Sequence, residues 1–175
     1  MKPRFLIVDD ESSLRSTLGE ILRKEGYRVD AVESGEECIE KVGRRSYDVI
    51  MLDVWLPGMD GLATLEKLRA LHAEAQIVVI SGDGNIESAV RAIKLGAFDF
   101  VEKPLSSDKT LLVARNAVRQ RHLEIENREL RQHVDRRTEM VGASAVMNGL
   151  REQISMASPT NGRVLIYGAN GTGKE

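Results

Sequence analysis

The chain has 175 residues, enough for one full domain and a further segment. Its 25 Lys and Arg nearly balance its 27 Asp and Glu, which argues against nucleic-acid binding by bulk electrostatics. The single cysteine, Cys38, excludes an intramolecular disulfide. Because no apolar run approaches the ~20 residues of a membrane span and no signal-peptide pattern is present, we expect a cytoplasmic protein without a membrane partner.

Five short apolar runs alternate with helical patterns through the first 105 residues. Continuous apolar runs rich in β-branched residues predict strands that are buried on both faces of a parallel sheet. The intervening segments repeat apolar residues at helical spacing, with Ser12 or Ser13 as the expected N-cap of the first helix and Gly96 as the stop of the fourth. This alternation predicts an α/β fold with a doubly wound, five-stranded parallel sheet, its strands at residues 4–8, 27–32, 48–52, 76–81 and 98–101.

A long helix is predicted over residues 107–137, which contain neither Gly nor Pro. Read as heptads, the segment has Asn127 at an a position, where a buried Asn fixes the register of a two-stranded coiled coil. The other heptad positions are Val113, Gln120 and Val134 at a, and Leu123 and Leu130 at d. The sequence therefore favours a short dimerising coiled coil, and a solvated single helix between two domains stays open as the alternative.

Polar residues follow four of the predicted strands at the point where each strand ends. Asp9 and Asp10 follow the first strand, Asp53 the third, Ser81 the fourth and Lys103 the fifth. Ligands of open parallel sheets bind outside the carboxyl ends of the strands, so we expect these side chains to lie together. Three carboxylates repel one another unless a cation is present, which predicts a site for Mg²⁺.

Asp53 is the candidate nucleophile of this site. A carboxylate can attack a phosphoryl donor and form an aspartyl phosphate, a reaction that depends mostly on positioning and charge neutralisation. Lys103 would then pair with one phosphoryl oxygen, and the Ser81 hydroxyl would donate a hydrogen bond to another. Each residue alone is as well explained as a loop residue or, for Asp9 and Asp10, as a helix cap.

The predicted metal ligands are Asp10, with Asp9 direct or through water, beside Asp53. The backbone carbonyl of Trp55, two residues beyond the nucleophile, would complete the metal shell. The turn-forming residues 57–61 would carry the chain away from the site. Pro104 disfavours helical geometry at the preceding Lys103. Because cis peptide bonds occur mainly before proline, the Lys103–Pro104 bond is a candidate for the cis form.

The last part of the chain predicts a helix at 145–156, a strand at 163–167 and then a glycine-rich loop. The pattern G-x-x-x-x-G-K lets backbone N–H groups approach phosphates while its lysine reaches the outer ones. The loop ends on Glu where the general pattern has Ser or Thr as a Mg²⁺ ligand. The candidate nucleotide-binding residues are Gly168, Gly171, Thr172, Gly173, Lys174 and Glu175.

Residues 4–120 resemble the receiver domain of bacterial two-component response regulators. The motifs that carry this resemblance are Val8-Asp9-Asp10-Glu11, Leu52-Asp53 with Leu56-Pro57-Gly58-Met59-Asp60-Gly61, Ser81-Gly82, Gly96-Ala97-Phe98-Asp99-Phe100 and Glu102-Lys103-Pro104-Leu105. The resemblance implies a CheY-like, flavodoxin-like receiver domain over residues 1–120. It also implies Asp53 as the phosphoacceptor of a sensor histidine kinase and Ser81 with Phe100 as the switch pair, which changes the contacts of the face formed by the fourth helix, fifth strand and fifth helix.

Residues 138–175 resemble the start of the AAA+ domain of sigma-54-dependent activators, in which Glu after the loop lysine is normal. Together with a linker at 107–137, the order of segments resembles the nitrogen regulators of the NtrC type, and most closely the NtrX branch. The resemblance implies a fragment of a longer regulator that dimerises through its receiver face or linker. ATP, sigma-54 RNA polymerase and DNA would be bound only by the full-length protein.

This chain is not expected to act as an enzyme beyond Mg²⁺-dependent autophosphorylation from a donor and self-dephosphorylation, since its ATPase is incomplete. The first alternative is a stand-alone receiver that acts as a phosphorelay shuttle or binding switch. The second is a phosphatase like the haloacid dehalogenases, which needs a second Asp two residues after the nucleophile, where this chain has Trp55. The third is a P-loop NTPase, in which residues 1–135 would have no role.

Overall fold

The computed structural model describes residues 2–71, 73–82, 86–138, 142, 144–159, 163, 165 and 167, with no side-chain detail for 132–138. The chain divides into two compact units, Met1–Glu129 and Leu130–Glu175. The predicted glycine-rich loop with Gly168, Gly171, Thr172, Gly173, Lys174 and Glu175 lies outside the described residues. Of the strand predicted at 163–167, residues 163, 165 and 167 are described, and none of these three lies in a strand.

The first unit is built on a five-stranded parallel sheet of order β2-β1-β3-β4-β5. This order confirms the predicted doubly wound fold, whose switch point falls between β1 and β3. The third and fifth strands each begin and end one residue later than predicted, and at the end of the fifth strand Glu102 pairs in register with Ser81. The strands are β1 Arg4–Val8, β2 Arg28–Val32, β3 Val49–Asp53, β4 Gln76–Ser81 and β5 Asp99–Glu102.

Helices connect the strands in strict alternation, as the sequence pattern predicts. None of the helices within the described residues is long and apolar enough to cross a membrane. Gly96 has a positive φ of 94° and ends the turn after the fourth helix, which confirms its predicted role. The helices are α1 Ser12–Lys24, α2 Gly35–Arg44, α3 Gly61–Ala70, α4 Ile86–Lys94, α5 Ser107–Thr138 and α6 Ala145–Ala157.

Two apolar layers cover the two faces of the sheet. One joins Leu6, Ile50 and Val79 to residues of α2, α3 and α4, including Cys38, which is buried as predicted. The other layer lies on the opposite face between the sheet and α1 and α5. Side chains alternate between these layers along each strand, which is why the apolar runs are continuous rather than alternating with polar residues.

The N-cap of α1 differs from the prediction. Ser12 and Ser13 are already helical, and the N-cap position is Glu11, which makes no side-chain capping hydrogen bond. The Asp9 carboxylate instead accepts a hydrogen bond from the Glu11 backbone N–H at 2.8 Å, so this aspartate orders the chain just before the helix. By contrast, Asp60 caps α3 in the ordinary way, accepting from Ala63 N at 2.7 Å.

The first half of the long helix α5 packs against the sheet of the first unit. Val113 packs against the sheet with Ala114, Ala117 and Val118, so it is not available to a coiled-coil seam and its predicted a position there is wrong. The later heptad residues Leu123, Asn127 and Leu130 are exposed within the single chain. Val134 falls among residues whose side chains are not described. A seam, if formed, therefore begins after the helix leaves the sheet.

Gly61 allows α3 to begin directly against the end of β3. Its N–H donates to Val54 O at 2.8 Å, and a Cβ on this residue would lie 1.9 Å from the backbone oxygen of Asp53. Residues 57–61 were predicted to carry the chain away from the site. The β3–α3 loop instead folds back onto the end of β3 before α3 begins. The close approach fixes the backbone from which Asp53 projects.

We expect Gly61→Ala to lower the free energy of unfolding by about 2–4 kcal/mol, because the backbone atoms that would meet the new methyl group cannot rotate away. The measurement is urea denaturation of the 175-residue chain, followed by circular dichroism. Gly43→Ala in α2 is the matched control, since its Cβ would meet nothing within 4 Å. That variant should be unchanged or more stable by about 0.5 kcal/mol. Equal stability of the two variants would contradict the close approach.

Candidate functional site

Three carboxylates meet at the carboxyl end of the sheet. Asp9 follows β1, Asp53 is the last residue of the neighbouring strand β3, and Asp10 begins the loop into α1. Each offers an oxygen within 4.8 Å of the others. Asp9 is 0% exposed and Asp53 is 2% exposed, whereas Asp10 is open to solvent. The structure therefore brings together the three residues that the sequence singles out as metal ligands.

Lys103 supplies the positive charge of this cluster. Its Nζ donates a hydrogen bond to Asp9 Oδ2 at 3.0 Å and lies 3.2 Å from Asp53 Oδ1. The residue follows β5 directly, and its backbone N–H donates to Ser81 O at 2.7 Å, which ties the lysine to the end of β4. The Lys103–Pro104 bond is cis, as the sequence suggested. One ammonium thus bridges two buried carboxylates on neighbouring strands.

Burial dominates the electrostatics of Asp53. Desolvation raises the pKa of this carboxyl to about 6, with the nearby charge of Lys103 lowering it and that of Asp9 raising it further. For Lys103, burial alone would lower the pKa, but the hydrogen bond to Asp9 and the charges of Asp53 and Asp9 outweigh it and leave the pKa above its ordinary value. The Lys103 ammonium therefore stays charged at neutral pH, while the Asp53 carboxyl has a pKa of about 6, close to neutral pH.

One oxygen of the Asp53 carboxylate, Oδ1, makes no hydrogen bond with any described residue. Although Lys103 lies 3.2 Å from Oδ1, the contact is an ion pair that lacks hydrogen-bond alignment, and this buried atom has no hydrogen-bond partner among the described residues. A buried charged oxygen without a donor is costly unless something else neutralises it. Since Asp9, Asp10 and Asp53 each offer an oxygen within 4.8 Å of the others, the donor set fits a hard divalent cation such as Mg²⁺.

The remaining predicted site residues lie around this cluster. Ser81 is the buried last residue of β4, in register with Glu102. Phe100 lies on the adjacent strand β5, partly buried against the layer formed with α2, α3 and α4. Trp55 is two residues beyond Asp53, and its side chain is 61% exposed. The predicted metal contact of the Trp55 carbonyl stays a prediction.

Two residues contribute to the site in ways that were not predicted from the sequence. Arg15, in the first turns of α1, donates to the backbone oxygen of Asp9 at 2.6 Å and pairs with Glu33 at 3.6 Å. Gly61 fixes the backbone of Asp53 from the other side. Arg15 could have been found as a basic residue one helical turn after the acidic pair, whereas the role of Gly61 depends on how closely a helix approaches a strand.

The arrangement suits phosphoryl transfer to a carboxylate. A buried nucleophile, a fixed ammonium and a set of carboxylates for a cation supply the positioning and charge neutralisation that this chemistry needs. A hydroxyl on the neighbouring strand end, Ser81, offers one further donor. The described residues at this end of the sheet include no second acid beside Asp53 of the kind a hydrolytic phosphatase uses, because Trp55 occupies that position.

The chain matches known proteins in both sequence and fold. A family model described as the response regulator receiver domain matches residues 5–115. The nitrogen assimilation regulatory protein NtrX of Azorhizobium caulinodans is 41% identical over 173 residues, which cover 98% of this chain and 38% of that protein. The chain thus spans well under half the length of such relatives.

Two solved structures share the fold. NtrX from Brucella abortus in complex with ADP has a TM-score of 0.70 and 38% identity, covering 93% of this chain and 36% of that one. The beryllofluoride-activated NtrC4 receiver domain dimer has a TM-score of 0.65 and 38% identity, covering 67% of this chain and 98% of that one. With its parallel sheet, its acidic cluster and a family match over most of its length, the chain belongs to the response regulator receiver domain family.

Proposed function

We propose that this chain is the phosphoacceptor portion of a two-component response regulator, and that Asp53 receives a phosphoryl group from a sensor histidine kinase. The observation that carries the proposal is the buried Asp53 carboxylate, which lies 3.2 Å from the Lys103 ammonium and within reach of two further aspartates. Membership of the receiver family supports the same assignment.

In the proposed reaction, an Asp53 oxygen attacks the phosphorus of the donor and the bond from phosphorus to the leaving group breaks. The Lys103 ammonium exchanges its contact with Asp53 for one with a phosphoryl oxygen, and stays near because Asp9 holds it at 3.0 Å. The Ser81 hydroxyl donates to a second phosphoryl oxygen. A Mg²⁺ ion held by Asp9, Asp10 and Asp53 would neutralise charge on the transferring group.

The signal would pass from the phosphorylated site through Ser81 and Phe100. Movement of the Ser81 hydroxyl toward the phosphoryl group would open space into which the Phe100 ring turns, so that a local charge change biases two packings of one element. The face next to β5 supports this step, because Ile86, Val90 and Ile93 of α4 are exposed there and can change partners. The NtrC4 receiver, whose structure is an activated dimer, supports a homodimer as one outcome.

The longer protein is proposed to be a sigma-54-dependent transcription regulator of the nitrogen-regulation type. The identity to NtrX across both the receiver and the segment beyond it supports this assignment. In that protein the domain that begins near residue 138 would bind ATP, and the ADP complex of the Brucella NtrX supports a nucleotide site. Sigma-54 RNA polymerase and DNA would be contacted by domains beyond this chain.

Phosphorylation at Asp53 is tested by the intact mass of the chain after incubation with Mg²⁺ and acetyl phosphate. We expect one phosphoryl adduct that is stable in acid and labile in base, because an acyl phosphate hydrolyses readily at high pH. Asp53→Ala should give none, and chelation of Mg²⁺ by EDTA should abolish the adduct on the unmodified chain.

Asp48→Ala is the control for this experiment, since Asp48 lies at the opposite end of β3. This variant should be labelled like the unmodified chain. An equal adduct on Asp53→Ala, or none on any variant, would contradict the proposed acceptor and favour a binding module without phosphoryl chemistry.

The raised pKa of Asp53 predicts a pH-dependent stability in metal-free protein. The pKa of Asp53 in the folded protein is about 6 and exceeds its value of ~4 in the unfolded chain. The neutral carboxyl therefore favours the folded state, and the protein loses stability as pH rises through both pKa values. The loss approaches about 3 kcal/mol at pH 8. Asp53→Asn should therefore gain about 2 kcal/mol relative to the unmodified chain between pH 4.5 and pH 8, measured by urea denaturation in EDTA.

Glu20→Gln, which also removes one acidic side chain but from an exposed position on α1, is the control for that series. Its stability relative to the unmodified chain should show no comparable pH dependence. A pH-independent difference for Asp53→Asn would mean that the carboxylate carries no burial penalty in the folded protein.

The proposed dimer predicts a response to substitution of Asn127 in the exposed part of α5. Because an Asn at an a position specifies register at a cost in stability, Asn127→Leu should tighten self-association and loosen register or stoichiometry. Sedimentation velocity and equilibrium of the two chains measure both quantities. Unchanged sedimentation of the variant would favour a solvated single helix.

A further inference from the structure

The β3–α3 loop lies beside the phosphoacceptor site, because it begins directly after Asp53. It carries Trp55, whose backbone carbonyl the sequence predicts as a metal ligand. At the start of the loop the Val54 N–H donates to Ile80 O at 2.9 Å, and at its end the Gly61 N–H donates to Val54 O at 2.8 Å. Both ends of the loop are therefore held by backbone hydrogen bonds.

The tip of this loop is held by a side chain from another helix. Glu36 lies in the first turn of α2, and its Oε1 accepts a hydrogen bond from the Met59 N–H at 3.0 Å. Among the described residues, no other backbone N–H of residues 55–59 has a hydrogen-bond acceptor. A carboxylate acceptor makes this bond stronger than one between neutral groups. One exposed side chain thus supplies the polar tether of the loop tip.

Two glycines allow the start of α2 to come this close to the loop. Gly58 has a positive φ of 77°, and a Cβ on it would lie 3.0 Å from Glu36 Oε1. Gly35 packs against the loop from the other side of the same contact. A Cβ on this residue would lie 2.1 Å from Thr64 Oγ1 and 3.0 Å from Met59 O. The start of α2 and the loop tip are therefore closely packed, and the hydrogen bond lies within that contact.

Glu36 is not one of the three carboxylates that meet at the candidate metal site. We propose that it is a positioning residue for Mg²⁺, because through Met59 it holds the β3–α3 loop and with it the backbone of Trp55. A loop that is already ordered in the free protein loses less conformational entropy when an ion binds, which raises the affinity. The inference rests on the proposed function, since it assigns a role toward the same site.

The role of Glu36 is tested by titrating the 175-residue chain with Mg²⁺ at constant ionic strength and following the fluorescence of Trp55, its single tryptophan. We expect Glu36→Ala to raise the Mg²⁺ concentration at half-saturation about threefold to tenfold, because the ion must then order the loop. Glu36→Gln keeps an oxygen that can accept from the Met59 N–H, so its half-saturation should stay within about twofold of the unmodified chain. Asp53→Ala, which lacks a metal ligand, identifies the part of the fluorescence change that comes from the site.

Glu40→Ala is the matched control for the loss of one negative charge. Glu40 is an exposed acid one turn further along α2, and it pairs with Arg44 of the same helix. This variant should bind Mg²⁺ like the unmodified chain. Equal weakening by Glu36→Ala and Glu36→Gln, or equal weakening by Glu40→Ala, would assign the effect to charge and overturn the positioning role.

Labelling by acetyl phosphate separates positioning from a loss of folded protein. In Glu36→Ala the Mg²⁺ concentration for half-maximal labelling should rise by the same factor as the half-saturation of binding, while the rate at saturating Mg²⁺ stays within about twofold. A lower rate at every Mg²⁺ concentration would indicate a purely structural role and overturn the proposal. In the metal-free chain, the Met59 amide should exchange with solvent at least about threefold faster in Glu36→Ala than in Glu36→Gln.

The unmodified chain separates this role from the function proposed for Asp53. If that chain shows neither a Mg²⁺ response nor labelling, the proposed function is overturned and the role of Glu36 with it. If it shows both, while Glu36→Ala has an unchanged half-saturation and unchanged exchange of the Met59 amide, the proposed function stands and the positioning role is overturned.

Discussion

Asp9 and Asp53 end neighbouring strands in the interior of the protein, and a single ammonium, Lys103, contacts them both. Two buried carboxylates repel each other, and one lysine cannot neutralise both together with Asp10. Burial disfavours the charged form of Asp53, and this is the largest cause of the rise of its pKa to about 6. The site therefore carries more negative than positive charge, and this imbalance favours the binding of a divalent cation.

Much of the surrounding structure serves to hold this unfavourable cluster. The carboxylates project from backbone that is fixed on several sides: Arg15 donates to the Asp9 carbonyl, and Gly61 packs α3 against that of Asp53. Lys103 is tied to β4 through its own backbone N–H. Because the strands beneath are entirely buried between two helical layers, the cluster cannot relax by moving its backbone.

At the opposite end of the sheet the carboxylates are neutralised by arginines. There the charges are arranged in pairs, and Glu74 joins two arginines that are two turns apart on α5, Arg121 and Arg128. Gln76 adds a contact to Glu124 of the same helix at 2.7 Å. These contacts fasten α5 to the sheet beyond the apolar residues of its first half.

The sequence by itself determined the strands, their parallel pairing and the set of polar residues that meet at one end of the sheet, because continuous apolar runs and the residues at their ends follow from backbone periodicity and burial. It also determined the length of α5. Only the tertiary structure decided which face each part of α5 presents, as Val113 belongs to the core and Leu123 does not. It also decided that Asp9 rather than Ser12 or Ser13 orders the start of α1, and that Gly61 closes on Asp53. The same holds for the ion pairs of Glu74 with Arg121 and Arg128, which join residues 47 and 54 positions apart, because sequence periodicity carries no information on distances between segments.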